Sequence, residues 1–474
     1  MNRLKILIGS LALLLSGVSC SDYLNVSPST ELKDGVTDVV SAQAALNGVY
    51  DGLQAQTSYG QLMVTFGDAR GGDMQPTANG DSRTQYLYSF NNRTPDNGPG
   101  GNFWARLYSE LNRTNAIITA FENGIVIDGT EAERNDIAGQ AYALRGFFHF
   151  DVVKLFGVPY LRDKNAWGAI IADRVIVSGE RLQRATVDET YEQVIKDLTK
   201  AISLLNSNIT ISTSYGYMNY WAAKSLLARV YLYKGDWEQA FTLASDVIEN
   251  GPYELVSNAN YLTSWGESYT SESIFSVINT TTDNIARESL SSVSLPTEYG
   301  EIILSTAMID LLREEEGDVR AELIGIDKTD QEGWCKKYPG REGSVWTNNV
   351  PVIRLSEVYL IAAEAALKKS SKDQAAADKY LNAIRQRAIA DAAEVIATEA
   401  MVITERRKEL VHEGHRFFDI TRQGLTVSRT GGRNYLNPGE VINVSWDDFL
   451  TVLPIPRAEI NGNPDIQPNP GYTH

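Results

Sequence analysis

Apolar residues recur every three or four positions along several long stretches of the chain, which is the spacing of one face of an α-helix. A helix from about residue 36 to residue 55 is predicted by Val39, Val40, Ala44, Leu46, Val49, Tyr50 and Leu53. A second helix is predicted by Trp104, Leu107, Tyr108, Leu111, Ile117 and Ile118. A third runs from Glu131 to Phe156 and ends before Gly157 and Pro159, because glycine followed by proline stops a helix. These patterns predict a mainly α protein.

The stretch from residue 220 to residue 250 predicts two helices packed against each other. Small residues, Ala228 and Ala240, alternate with large ones, and a Gly235-Asp236 turn lies between the two helices. This order is typical of half a tetratricopeptide repeat. A second pair is predicted by Glu357, Tyr359, Ala362, Ala363, Ala366, Ala376, Tyr380, Leu381 and Ile384. Because the pairs do not recur at a constant period, we expect helix pairs separated by insertions.

Helical periodicity is lost in two stretches. Residues 66–102 contain many Gly, Asn, Asp and Pro residues, which predict a long loop. Residues 251–350 combine many aromatic residues with Ser, Thr and Gly, and predict an irregular lobe with short strands, such as one at residues 273–278. Long loops in compact domains are often functional, so we expect the binding residues in these two stretches.

The N-terminus has the features of an export signal. Arg3 and Lys5 precede an apolar run over residues 6–18, which is too short to span a bilayer comfortably. Small residues then precede Cys20. This order suggests a lipoprotein that carries lipid on Cys20. The alternative is an ordinary signal peptide followed by an incidental cysteine. Cys335 would then lack a disulfide partner, and we expect it to be buried and inert.

Charge restricts the partners of this 474-residue chain. Its net charge is -17, and loss of residues 1–19, which contain two basic residues and no acid, would make it -19. This negative net charge argues against nucleic acid or anionic lipid as a partner. It agrees with an uncharged or cationic ligand, or simply with solubility.

The acidic and basic residues between positions 405 and 419 have two interpretations. Glu405 and Glu409 could act as acid–base residues, or they could form ion pairs three and four positions apart on a helix that ends at Gly414. We favour the ion-paired helix.

The histidines nearby do not form a recognisable metal motif. His412 and His415 are three residues apart, whereas the zincin motif needs a spacing of four so that both side chains face one metal. The glycine-rich run at residues 98–101 lacks the Lys-Ser/Thr of a phosphate loop, and the sequence has no Gly-x-Ser-x-Gly elbow. We therefore expect no catalytic set, no metal and no cofactor.

The irregular stretches combine aromatic rings with hydrogen-bonding side chains. Sugars present apolar C–H faces and hydroxyl groups, which exposed rings together with carboxylate, amide or guanidinium groups can bind. We predict a glycan-binding site that includes Asp73, Arg83, Tyr86, Tyr299, Trp334 and Trp346. Neighbours of the same chemistry are Asp68, Arg70, Tyr88, Tyr338 and Asn348. For each ring, local packing is the alternative. Trp104, Trp221 and Trp237 lie in helical stripes and are expected in the core.

Several segments resemble the SusD/RagB family of surface lipoproteins. They include the ending "LPIP…EI…NP…QPNPGY", the "CSDYL" start at Cys20, and "ALRGFFHFDVVKLFGVPY", "PVIRLSEVYLIAAEA" and "ERRKELVHEGHRFFDITR". The resemblance covers residues 20–28, 104–116, 141–160, 227–240, 351–365, 405–422 and 453–472. It implies a surface-exposed, lipid-anchored protein of the outer membrane that binds an oligosaccharide and delivers it to a TonB-dependent, SusC-like transporter. The residues that contact the ligand vary between members of the family, so the resemblance assigns no binding residue in this chain.

This interpretation divides the chain into a signal peptide, an extended anchored start, a helical scaffold with a loop-rich insertion near 66–102, an irregular lobe and a C-terminal helical part. The corresponding residues are 1–19, 20–35, 36–250, 251–350 and 351–474. Alternatives are the same fold with a peptide ligand, a scaffold protein without a small ligand, or a glycan-degrading enzyme. The absence of a clear motif with paired carboxylates argues against the enzyme.

Overall fold

The structure is a computed structural model that describes residues 35–77, 83–90, 98–326, 333–429 and 442–472. It is mainly helical, as predicted. The helices are α1 (Val39–Gln54), α2 (Leu62–Gly71), α3 (Gln85–Tyr88), α4 (Gly100–Glu122), α5 (Glu131–Phe156), α6 (Val187–Leu204), α7 (Ile211–Ser214), α8 (Tyr220–Lys234), α9 (Trp237–Asn250), α10 (Tyr261–Ser264), α11 (Leu290–Ser294), α12 (Thr306–Leu312), α13 (Leu355–Lys368), α14 (Gln374–Ala388), α15 (Glu399–Glu409), α16 (Arg416–Arg422) and α17 (Arg457–Gly462). The long helices pack in succession, α4 on α5, α5 on α6, α6 on α8, α8 on α9, α9 on α13 and α13 on α14.

The strands are short and pair antiparallel, two by two. They are β1 (Met74–Pro76), β2 (Ser273–Val277), β3 (Ile302–Leu304), β4 (Ile324–Ile326), β5 (Gly333–Cys335), β6 (Val350–Arg354), β7 (Val427–Arg429) and β8 (Ile442–Val444). Strand β1 pairs with β3, with Met74 opposite Leu304, and β2 pairs with β6, with Ser273 opposite Arg354. Strands β4 and β5 pair with each other, as do β7 and β8. The first two pairings join segments that are far apart in the chain.

Local sequence signals set the ends of the long helices. Helix α5 begins at a capping box in which Thr130 accepts a hydrogen bond from the amide of Glu133 and the Glu133 side chain accepts one from the amide of Thr130. Helix α8 ends at Gly235, whose φ of 79° is in the left-handed region, and Asp236 caps α9 by accepting from the amide of Gln239. Both predicted helix pairs, α8–α9 and α13–α14, are therefore confirmed.

The predicted loop over residues 66–102 is wrong at both ends. Residues 62–71 form α2, and α4 begins at Gly100. Nearly every residue of α2 is buried, so its sequence has no polar face and no helical stripe. Gly67 and Gly71 let neighbouring segments approach the helix closely, which explains why this helix contains glycines.

Glu405 and Glu409 belong to a buried ionic cluster and not to an open acid–base site. Arg320 Nη1 donates to Glu405 Oε1 at 2.6 Å, and Arg354 Nη1 donates to Glu409 Oε1 at 2.6 Å. Ion pairing is confirmed, but the predicted spacing is wrong, because these arginines lie far away in sequence and not three or four positions along the helix. The helix also ends at Glu409 and not at Gly414. The chain therefore uses these carboxylates to join β6 and the segment before β4 to α15.

Cys335 is buried, as expected, and has no disulfide partner among the described residues. Burial raises the pKa of its thiol to about 11. Cys20 lies outside the described residues, so its lipidation stays a prediction. Among the described helices, none is both long enough and apolar enough to cross a membrane.

Candidate functional site

One surface gathers charged side chains from three separate segments. Arg83, just before α3, donates from its amide and its Nε to the carboxylate of Glu301, just before β3, at 3.0–3.1 Å. The Arg83 guanidinium also pairs with Glu288, in the short 3₁₀ turn that precedes α11. Partial burial lowers the pKa of Arg83, but its bonds to Glu301 and Glu288 raise the pKa by more, so the guanidinium is firmly charged.

Tyr299 lies beside this cluster with 40% of its surface exposed. The guanidinium carbons of Arg83 and Arg287 lie 4.8 and 4.6 Å from the centre of its ring. Arg287 also pairs with Glu298, with Nε 3.4 Å from Oε2. The Tyr299 amide donates to the carbonyl of Ser292 at 3.0 Å, which ties the loop to α11. The ring is therefore held in place while part of it remains open to solvent.

Tyr86, on α3, is half-buried near the same arginine. Burial raises the pKa of its phenol, and the charges of Arg70 and Arg83 oppose that rise. The structure thus brings together the predicted site residues Arg83 and Tyr299, with Tyr86 three positions after Arg83. We use the name Tyr299 face for Arg83, Tyr86, Arg287, Glu288, Tyr299 and Glu301. Sequence analysis missed Arg287, Glu288 and Glu301; the available signal was the charged residues flanking Tyr299.

Asp73 does not belong to this face, and its prediction as an exposed ligand group is wrong. It is 1% exposed, and its Oδ1 accepts from Arg407 Nε at 2.6 Å. It lies immediately before β1, where the chain turns into the core to pair with β3. The neighbours considered with it, Asp68, Arg70 and Tyr88, are also buried.

The two predicted tryptophans lie on other elements. Trp334 is on β5 opposite Gly325 of β4, where the missing side chain of glycine leaves room for its indole. Trp346 lies in the turn before β6 and has a buried indole N–H with no hydrogen-bond partner in the described part of the chain. Both side chains are partly exposed, so their role stays a prediction. Tyr338 and Asn348 are buried.

His412 and His415 have separate partners. His412 is buried, and its Nε2 lies 3.1 Å from Ser294 Oγ, whereas His415 Nδ1 is 3.9 Å from Glu357 Oε1. Burial is the main cause that lowers their pKa values, to about 3 and about 4 respectively. Within the described ranges, no three His, Cys, Asp or Glu side chains are grouped so that they could hold a metal ion.

Comparisons with known proteins place the chain in a family. A family model described as "SusD family" matches residues 327–472, and one described as "Starch-binding associating with outer membrane" matches residues 22–232. The chain is 26% identical to the SusD-like protein P2 of Formosa agariphila over 99% of its own length and 100% of that protein.

Solved structures agree with the sequence matches. A SusD superfamily protein of Bacteroides vulgatus is 33% identical, with a TM-score of 0.86, and a structure from the same species described as a putative sugar binding protein is 36% identical, with a TM-score of 0.85. Each comparison covers 93% of this chain and 100% of the other. Together with the helix pairs described above, these matches show that the chain belongs to the SusD family.

Proposed function

We propose that this protein captures an oligosaccharide at the cell surface and delivers it to a TonB-dependent, SusC-like transporter in the outer membrane. The observation that supports ligand binding most directly is the Tyr299 face, where a partly exposed ring is surrounded by charged hydrogen-bonding groups from three segments. A family model whose description includes starch binding and the outer membrane, and a 36% identical relative described as a putative sugar binding protein, support the ligand class.

The chemistry of the Tyr299 face suits a sugar. An aromatic ring packs against the C–H face of a pyranose, while the surrounding hydroxyl groups need both donors and acceptors. Arg83 and Arg287 provide donors, and Glu288 provides acceptors. Because these groups are already held by one another, little conformational entropy is lost when a ligand binds.

The same arrangement favours binding over hydrolysis. Glycoside hydrolysis uses two carboxyl groups, one of which must hold a proton for the leaving group. Glu288 and Glu301 both accept from the one guanidinium of Arg83, and this shared contact suits a rigid binding surface. We propose that the protein binds its glycan without cleaving it, and a turnover assay with the bound glycan tests this directly.

Replacing Tyr299 by alanine should weaken glycan binding about tenfold, because an aromatic ring that contributes one to two kcal/mol changes affinity by about that factor. A glycan array and a peptide array would first identify what binds to the wild-type protein. Isothermal titration calorimetry would then compare Tyr299→Ala with the wild type. The melting temperature should barely change, because the ring is 40% exposed.

Trp167 offers a matched control for this experiment. It is also 40% exposed, and its backbone forms a bridge with Thr186 at the start of α6. Trp167→Ala should bind like the wild type. Equal binding by Tyr299→Ala and Trp167→Ala would contradict the Tyr299 face as the ligand site, and retention of peptides in place of glycans would contradict the proposed ligand class.

Attachment to the outer membrane is proposed through lipid on Cys20. The basic start, the apolar run and the cysteine that follows support this part of the proposal. Cys20→Ala should move the protein out of the outer-membrane fraction while leaving glycan affinity unchanged, because Cys20 is not among the residues of the Tyr299 face. Immunoblots of fractionated cells measure this, and a variant that stays in that fraction as well as the wild type would refute the anchor.

A further inference from the structure

A second concave surface lies between α1, the turn around α7 and strand β2. It is a cleft of about 540 Å³, within the range of about 300–1,000 Å³ that is typical of small-ligand sites. Asn47, Tyr50, Asp51 and Gln54 line one wall. Their spacing of three and four residues places them on a single face of α1. The facing wall includes Tyr215 and Tyr217, and β2 contributes Phe275 and Val277.

Tyr217 provides a partly exposed ring in this cleft. It is 42% exposed and meets the ring of Tyr50 edge to face, with centroids 5.2 Å apart and planes at 88°. The Tyr50 hydroxyl donates to Gln140 Oε1 at 2.7 Å and accepts from the amide of Met218 at 2.9 Å. Tyr50 is therefore fixed, and it supports Tyr217 in one position. A ring fixed before the ligand arrives loses less conformational entropy on binding.

A second pair of rings extends the aromatic surface. Tyr215 stacks on Tyr269 with centroids 5.2 Å apart and planes at 28°, and Tyr269 is 44% exposed. Tyr215 lines the cleft, whereas Tyr269 lines an adjoining hollow of about 70 Å³. The stacked pair thus stands between the two depressions and can contact a ligand that extends out of the cleft.

The polar groups of the cleft are acceptors and amides. Asp51 and Asp283 are exposed and lie at its edge. Gln43 donates to the Asn47 side-chain oxygen at 2.9 Å, which leaves the Asn47 amide hydrogens for a ligand. Among the described residues that line the cleft, none is Lys or Arg. Carboxylates accept hydrogen bonds from sugar hydroxyl groups but repel a uronate or a sulfate.

We propose that this cleft, which we call the Tyr217 cleft, is a second carbohydrate-binding site and that it takes an uncharged sugar unit. Fixed aromatic rings, carboxylate acceptors and the lack of basic lining residues together favour this ligand over an anionic one. The inference rests on the proposed function of oligosaccharide capture, but it concerns a different surface from the Tyr299 face.

The two surfaces are neighbours along one segment. Asp283 lies at the edge of the Tyr217 cleft and Arg287 belongs to the Tyr299 face. Four residues of extended chain span at most about 14 Å, so the two sites lie within reach of one oligosaccharide. A ligand that engages both gains affinity because its second contact is intramolecular. Removing either site should therefore weaken long oligosaccharides more than short ones.

Calorimetry with defined probes tests the proposal. The uncharged probes are maltoheptaose, laminariheptaose, cellohexaose and mannohexaose, and the acidic probe is hexagalacturonate. Tyr217→Ala should weaken binding of an uncharged probe about tenfold, whereas Tyr217→Phe keeps the ring and should change it less than twofold. Tyr217→Ala combined with Tyr299→Ala should abolish binding, and Trp167→Ala, as the control, should not affect it. Thermal melts of each variant confirm that the fold is retained.

The possible results separate this proposal from the proposed function. If Tyr217→Ala binds every probe like the wild type while Tyr299→Ala does not, the cleft proposal is overturned and the Tyr299 face stands. If Tyr217→Ala loses binding while Tyr299→Ala keeps it, the cleft is supported and the Tyr299 face is rejected. If Tyr217→Ala weakens the binding of hexagalacturonate as much as it weakens the binding of the uncharged probes, the preference for uncharged sugars is overturned. A wild-type protein that binds none of the uncharged probes overturns the cleft proposal.

Discussion

Replacing Glu409 by alanine should lower the free energy of unfolding by about 3–5 kcal/mol, the cost of removing one partner from a buried ion cluster. Glu409 is completely buried in α15. Its Oε1 accepts from Arg354 Nη1 at 2.6 Å and lies 2.5 Å from Arg387 Nη2, and its Oε2 lies 3.4 Å from Arg320 Nη1. Without this carboxylate, three buried guanidiniums would face one another with less compensating charge.

The matched control is Glu399, in the first turn of the same helix. Its side chain is 55% exposed, and its ion pair with Lys368 has a distance of 3.5 Å. Glu399→Ala should change the free energy of unfolding by no more than about 1 kcal/mol, because exposed ion pairs contribute little. Urea unfolding followed by circular dichroism measures both variants. Equal stabilities would mean that the buried cluster is not formed as described.

The contribution of Glu409 should also depend on pH in a defined direction. Burial alone would raise its pKa, but the charges of Arg387, Arg354 and Arg320 dominate and hold the pKa well below its ordinary value of 4.5. A carboxyl group with a lowered pKa stabilises the folded state above its unfolded pKa and loses that contribution as the pH falls. The difference in stability between the wild type and Glu409→Gln should therefore be largest above pH 4.5 and shrink below it.

The elements that sequence analysis predicted correctly are those whose signals are local. The Gly235 turn, the cap at Asp236 and the small Ala228 and Ala240 define the α8–α9 pair within about thirty residues of sequence. Helix α5 matches its predicted bounds because its cap and its terminal Gly157 are both recognisable. In each case the signal and the structure that it produces lie in the same short segment.

The candidate site depended on information that no local pattern contains. Arg83 and Glu301 are 218 positions apart, and the pairing of β1 with β3 brings their segments together. The same pairing takes Asp73 into the core, whereas Arg83, only ten positions later, remains partly exposed. Tyr217 was missed because a tyrosine in the turn before a buried helix gives no sequence signal for exposure. Composition suggested a type of site, whereas the residues that meet at the Tyr299 face are determined by long-range pairing.

Helix α2, which the sequence did not predict, is also held by a contact between distant segments. A substitution at this contact should strongly destabilise the protein. A Cβ atom added at Gly67 would lie 2.0 Å from the carbonyl oxygen of Gly414, a backbone atom that cannot rotate away. Gly414 is itself constrained, with a φ of 83° and an amide that donates to Asp68 Oδ2 at 2.9 Å. Gly67→Ala must therefore separate α2 from this turn, and we expect a loss of about 3 kcal/mol or more in the free energy of unfolding.

Gly48, in the middle of α1, allows the same substitution without the contact. A Cβ atom there would meet nothing within 4 Å. Gly48→Ala should therefore stabilise the protein by about 0.5–1 kcal/mol, because alanine loses less backbone freedom in a helix than glycine does. Thermal melts of the two variants should shift in opposite directions. A Gly67→Ala protein that melts at or above the wild-type temperature would show that α2 does not pack backbone to backbone on the Gly414 turn.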